Sequence, residues 1–182
     1  MDRLNEINFS NTKVVNINAL NDMPHLSKIY CDNSLVSKEM ADTYKMNNPN
    51  VLVINESEAL LSWWNELPSF WKTLLKDQAN TSINPTKEEL HSIINIRNLK
   101  VDHYMQDVTP INRLTSIEYL DLSDSKIDDI SPLYGLHNLK SLNVKNTTIS
   151  DLTPWQRWSA REKAWKWQHD DSVMSGSTNY AR

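Results

Sequence analysis

Glycine is nearly absent from this chain. Its 182 residues contain two, Gly135 and Gly176. No glycine-rich loop can therefore cradle a phosphate, and no G-x-S-x-G elbow can present a nucleophile. Cysteine is scarcer still. Cys31 stands alone, which excludes an intrachain disulfide and a cysteine-rich metal site. H-E-x-x-H is missing as well. No apolar run approaches the ~20 residues needed to cross a bilayer, so no membrane insertion is expected. The opening MDRLNEINFS lacks the hydrophobic segment of a secretory signal. That favours a cytoplasmic location, with a surface or secreted one compatible if the chain is a fragment. Net charge is −4 with both signs interspersed. The basic stripe that nucleic acid requires is not there.

What is present is a pattern written twice. It reads Ile117-x-x-Leu120-x-Leu122-x-x-Ser125-x-Ile127-x-x-Ile130-x-Pro132-Leu133-x-x-Leu136, then Leu139-x-x-Leu142-x-Val144-x-x-Thr147-x-Ile149-x-x-Leu152-x-Pro154-Trp155-x-x-Trp158. Every anchor moves by 22 residues. Slid backwards, the template takes Ile96, Leu99, Val101, Val108, Pro110, Ile111 and Leu114, with one residue deleted. Near the start, Leu4, Ile7, Phe9, Thr12, Val14, Ile17 and Leu20 make a unit. Leu26, Ile29, Cys31, Ser34 and Val36 make the next, and a third strand is expected with anchors Pro49, Leu52 and Ile54.

A fixed period in the twenties with an L-x-x-L-x-L core marks a stacked repeat. Each unit is a short strand, a turn and a return. Leu120 and Leu122 point the same way because side chains alternate along a strand, and the return residues point inward to meet them. Pro132 and Pro154 share a register, which suits a 3-10 or irregular return better than a long α-helix. No unit can bury its apolar side alone, so the units stack. Cys31 falls on an inward position and is expected to be a small buried hydrophobe.

These residues resemble the 22-residue, internalin-like class of leucine-rich repeats, whose returns are short. The resemblance implies an α/β solenoid with parallel strands on a concave face, a bacterial source, and a protein-binding role. The chain departs from that class at Ser125 and Thr147, where asparagine is usual. Both can still bond the backbone of the turn, less well than an asparagine ladder would.

Residues 56–95 break the repeat. Leu60, Leu61, Trp64, Leu67, Trp71, Leu74 and Leu75 fall at helical spacing, interrupted by Pro68. A further helix is expected to start at Thr86, where Thr86-x-x-Glu89 makes a capping box before Leu90, Ile93 and Ile94. Ser37–Met46 also has helical spacing. The expected organisation is repeats at 1–55, a helical cap or linker at 56–95, repeats at 96–158, and a tryptophan-rich tail at 159–182. In that reading the helices cover the strand at 99–101, with Trp64 and Trp71 inward. One continuous solenoid with 56–95 bulging out is the alternative, and it would pair Leu52–Ile54 directly with Leu99–Val101.

Catalytic, cofactor-binding and metal-ligating residues are not recognisable. His25, His91, His103, His137 and His169 are scattered and read as solvated surface. Asp128, Asp129 and the Asp170–Asp171 pair read as solvated turn carboxylates, with too few oxygen ligands for calcium. The reading is a non-catalytic module that holds another protein. An adhesin fragment, or a regulatory domain of a larger enzyme, are its alternatives. Candidate contacts are the outward strand residues Tyr30, Asp32, Lys100, Asp102, Tyr119, Asp121, Asn143 and Lys145. In the tail, Trp165 and Trp167 stand among Arg161, Lys163 and Lys166, the composition of an interface anchor. A short helix is expected over 159–168, with Trp165 packed on the last repeat and Trp167 outside.

Overall fold

The computed structural model describes residues 3–101 and 104–152, together with the backbone of 166–168. The chain forms two compact units that divide between Ile93 and Ile94. The first holds a parallel sheet of β1 (Glu6–Asn8), β2 (Lys28–Tyr30) and β3 (Leu52–Ile54), in that order. The second holds β4 (Asn98–Lys100), β5 (Tyr119–Asp121), β6 (Ser141–Asn143) and β7 (Lys166–Gln168), also parallel and in order. Strands displaced by one repeat must run parallel, because each coil repeats the path of the last. β3 and β4 lie in separate sheets, so the direct pairing of a continuous solenoid is not found among the described residues.

The repeat anchors form columns. Leu99, Leu120 and Leu142 are in register and buried, with Val101 and Leu122 buried beside them. Ile127, Ile130, Leu133 and Leu136 close the coil from the return side. In the first unit the column is Ile7, Ile29 and Val53. The sequence pattern predicts Leu52 as the anchor here; the structure places Val53 there, one residue later. The cause is the preceding return. After β2 it is the helix α1 (Lys38–Asn47), with Ser37 as N-cap and Ala41 and Tyr44 buried, and it lengthens the step from Ile29 to 24 residues. A slip of one residue moves every side chain of a strand to the other face.

After most strands the chain turns through a left-handed residue. Asn11, Asn33, Asp124 and Asn146 have φ of 54–61°, a region asparagine and aspartate tolerate better than other residues with a Cβ. Their side chains form a ladder: Asn33 donates to Asn11 at 3.2 Å, and Asn146 to Asp124 at 2.9 Å. The hydroxyl on the next residue turns back to the strand. Thr12, Ser34, Ser125 and Thr147 donate to the carbonyls of Phe9, Cys31, Leu122 and Val144. Ser125 and Thr147 thus take the turn-bonding role expected of them, and the amide ladder runs one position earlier.

The other returns are 3-10 segments at Asn18–Leu20, Thr109–Arg113 and Ser131–Gly135. An Asn or Asp two residues ahead accepts from the backbone N–H at the start of each: Asn16 from Asn18, Asp107 from Thr109, Asp129 from Ser131, all at 2.8 Å. Asp129 is exposed, as the sequence reading expects, and it caps the turn as well. The Asp-x-Ser/Thr-Pro spacing satisfies an orphan amide, and proline then sets φ for the turn.

Between β3 and β4 in the sequence come α2 (Ser57–Glu66), α3 (Ser69–Ala79) and α4 (Lys87–Ile94). Pro68 stands just before α3. The capping box at α4 is formed: Glu89 N–H donates to Thr86 Oγ1 at 3.2 Å, and Thr86 N–H to Glu89 Oε2 at 2.8 Å. Trp64 and Trp71 are each 2% exposed, and the Trp64 indole donates to the Ile83 carbonyl at 3.3 Å. α2, α3 and nearly all of α4 belong to the same unit as β1–β3.

The tail departs from expectation. Residues 166–168 are a strand, not the end of a helix, and pair with β6 so that Trp167 stands in register with Leu142. Trp165-Lys166-Trp167-Gln168 alternates apolar and polar, a period of two that suits a strand. The free edge of β6 supplies the backbone partners. Trp155, Trp158 and Trp165 lie outside the described residues, as do Asp102, His103, His169 and the Asp170–Asp171 pair.

Candidate protein-binding face

The outward side of each strand is set by the anchors between which it lies. In the second unit it presents Asn98 and Lys100 from β4, Tyr119 and Asp121 from β5, and Ser141 and Asn143 from β6. Tyr119 is 50% exposed at the middle of this surface. Lys100 Nζ lies 3.6 Å from Asp121 Oδ2. Asp121 and Asn143 also shape the strand ends, accepting from the N–H groups of Ser123 (2.9 Å) and Lys145 (3.1 Å). Partial burial pushes the Asp121 carboxyl up, but the Ser123 hydrogen bonds and the Lys100 charge outweigh it, and the net direction is down. Asp121 is thus held as a carboxylate, half structural and half displayed. Along one flank, Glu118 receives both Arg97 (3.4 Å) and Lys140 (2.7 Å). Those pairs are exposed on the basic side and add little to stability, but they fix charges along the face.

The first unit is arranged differently. Its own helices occupy the outward positions. Asp32 accepts from the Ser57 N–H at 3.0 Å and from its hydroxyl at 2.8 Å, at the start of α2. Lys87 of α4 lies 3.7 Å from Asp32 Oδ2 and 5.0 Å above the Tyr30 ring. Ile54, in register with Tyr30, is fully buried, although alternation turns it away from Val53 and the first core cluster. Tyr30 and Asp32 therefore hold helices in place, whereas Tyr119, Asp121, Lys100 and Asn143 share one displayed face. Only the backbone of Trp167 is described. Its strand extends that sheet by one position.

His91 was missed by sequence reasoning. It reads as solvated surface there, yet it is 0% exposed, because it shares the helix face that Leu90 and Ile93 turn toward the core. Its position one residue after Leu90 of an amphipathic helix was the available signal. Cys31 is buried as expected, and burial pushes its thiol up to about 11. Among the described residues no group of three or more His, Cys, Asp or Glu could hold a metal ion. None of the helices there is long and apolar enough to cross a membrane.

A family model described as "Leucine Rich repeats (2 copies)" matches residues 115–157. Among curated proteins, none matches the chain significantly. Similar solved structures include an internalin C2 from Listeria monocytogenes, 15% identical with a TM-score of 0.37, covering 91% of this chain and 80% of that one. An internalin (inlF) from the same organism is 14% identical with a TM-score of 0.34, covering 91% and 46%. The chain has the leucine-rich-repeat fold, and its residues 115–157 are leucine-rich repeats.

Proposed function

We propose that this chain is a non-catalytic protein-interaction module whose partner, another protein, binds the outward strand face of the second unit. The observation that carries the reading is Tyr119: a large aromatic, half exposed, at the centre of an open sheet face. Aromatic residues ringed by polar groups are the usual anchors of protein interfaces, and stacked repeats present extended surfaces of this kind. Lys100, Asp121, Asn143 and Lys145 form the polar surround. β7 extends the sheet beyond β6, where Trp167 stands in register with the inward anchor Leu142 and not with the outward row. Tyr30 and Asp32 lie in the first unit, where Lys87 of α4 and Ser57 of α2 engage them. A photo-crosslinking residue at position 119, in the native source, tests the proposal. A discrete crosslinked protein is expected from position 119 and not from position 134, an exposed tyrosine on the return. Equal crosslinking at both positions, or at 134 alone, would count against it.

A further inference from the structure

α4 rests across the outward ends of β2 and β3 through three polar contacts. Lys87 sits over Tyr30 and beside Asp32. Glu88 faces the Tyr30 hydroxyl, which helps hold its carboxyl down. The third, His91, is the only one fully buried. Its Nδ1 lies 2.6 Å from the Lys87 carbonyl, and its Nε2 lies 3.0 Å from the Asn55 N and 2.7 Å from the Asn55 O. Asn55 directly follows β3. A ring with one proton, on Nδ1, donates to Lys87 and accepts the Asn55 N–H. A doubly protonated ring turns Nε2 into a donor, which can bond only the Asn55 carbonyl at 2.7 Å; the Asn55 amide loses its acceptor, and a charge enters a site with no exposure, both costly.

We propose that His91 is an acid-sensitive latch: neutral, it pins α4 over the first sheet, and its protonation releases α4 and uncovers Tyr30. The latch does not depend on which partner the protein binds.

The groups around the ring set the direction of the effect. Lys45 faces it from α1, with its ammonium donating to the Asn55 side chain at 3.0 Å. Asp32 faces it from the end of β2, already bound to Ser57 of α2 and Lys87 of α4. Cys31 lies beside Lys45, and Asp42 of α1 offsets the Lys45 charge. Burial pushes the imidazole down from its ordinary 6.5. The Lys87 and Asn55 carbonyls and Asp32 push upward, Lys45 pushes downward, and the net direction is down. The released chain then binds a proton below 6.5 while the latched form does not. The latch is fully effective above 6.5 and weakens as pH falls from there toward the depressed value, by about ten-fold per pH unit.

Hydrogen exchange read by mass spectrometry tests this on the full chain, with intrinsic rates corrected for pH. Between pH 7.5 and 5.0, protection of Leu90–Ile94 is expected to fall at least ten-fold relative to β5 and β6. In His91→Gln, which carries no titrating group, that relative fall should vanish. If α4 and β5 lose protection together, or if His91→Gln shows the same fall, the latch is refuted. Should His91→Gln not fold, the imidazole of the unaltered protein decides by NMR titration. A midpoint clearly below 6.5 supports the latch, and one at or above 6.5 overturns it.

Discussion

The two sheets share one repeat, yet only one displays its outward face. In the second unit the described returns are short 3-10 turns, and β4, β5 and β6 leave Tyr119 and its polar neighbours open. In the first, a ten-residue helix follows β2, three more follow β3, and the outward residues Tyr30, Asp32 and Ile54 are drawn into packing. The strand pattern alone does not make a binding face. The segment after each strand decides whether the face is free.

Their leading strands differ too. Ile96, Leu99 and Val101 at β4 are buried, whereas Leu4, Ile7 and Phe9 at β1 are only partly so. The same anchor position should therefore carry different weight in the two sheets. Trp71→Ala, in the first unit's helical layer, is expected to cost about 3–5 kcal/mol, and Leu142→Ala in the second about 2–5 kcal/mol. Both are read from urea midpoints. A loss under about 1 kcal/mol for Leu142 would mean the column is not a core. Ile29→Ala should cost about 2–5 kcal/mol, and Ile7→Ala less than half as much, since its side chain already touches solvent. Equal losses would erase the contrast between an inner and an end strand.

Smaller still is the turn. Ser125→Ala removes the buried hydroxyl bonded to the Leu122 carbonyl at 2.7 Å and should cost about 1 kcal/mol. Thr12→Ala, the equivalent on the exposed first turn, should cost less. Lys28→Ala breaks the exposed 2.8 Å pair with Glu6 and should leave the thermal midpoint unchanged within error.

The repeat columns were legible because their cause is local and periodic: an apolar residue at each fixed step faces one core. The α4 capping box was legible for the same reason, since Thr86 and Glu89 pair within one turn. Val53 was not. The length of α1 decides its register, and no residue of β3 reports that length. Leu52-Val53-Ile54 is apolar throughout, so alternation could not choose. At Trp165–Trp167 a helical reading of bulky residues competed with a period of two over four positions, too short to win without the β6 edge in view. The asparagine ladder was hidden by attention to the position after it, although Asn11 and Asn33, like Asp124 and Asn146, stand 22 apart. Of the binding face, the outward positions were legible from the anchors. That Tyr30 and Asp32 are occupied was not, because Ser57 and Lys87 reach them from distant sequence.

Thiol labelling tests the difference between the two faces most directly. Tyr119→Cys and Ile54→Cys place one new thiol on each, at outward positions of β5 and β3, and Cys31 stays silent because it is buried. At pH 7.5, with folding checked by circular dichroism, the thiol at 119 is expected to react with Ellman's reagent at close to the rate of a free cysteine. The thiol at 54 should be protected by at least about a hundred-fold, as a buried position opening only rarely would be. Equal rates at the two positions would show that the helices do not close the first face, and the account would be wrong at its centre.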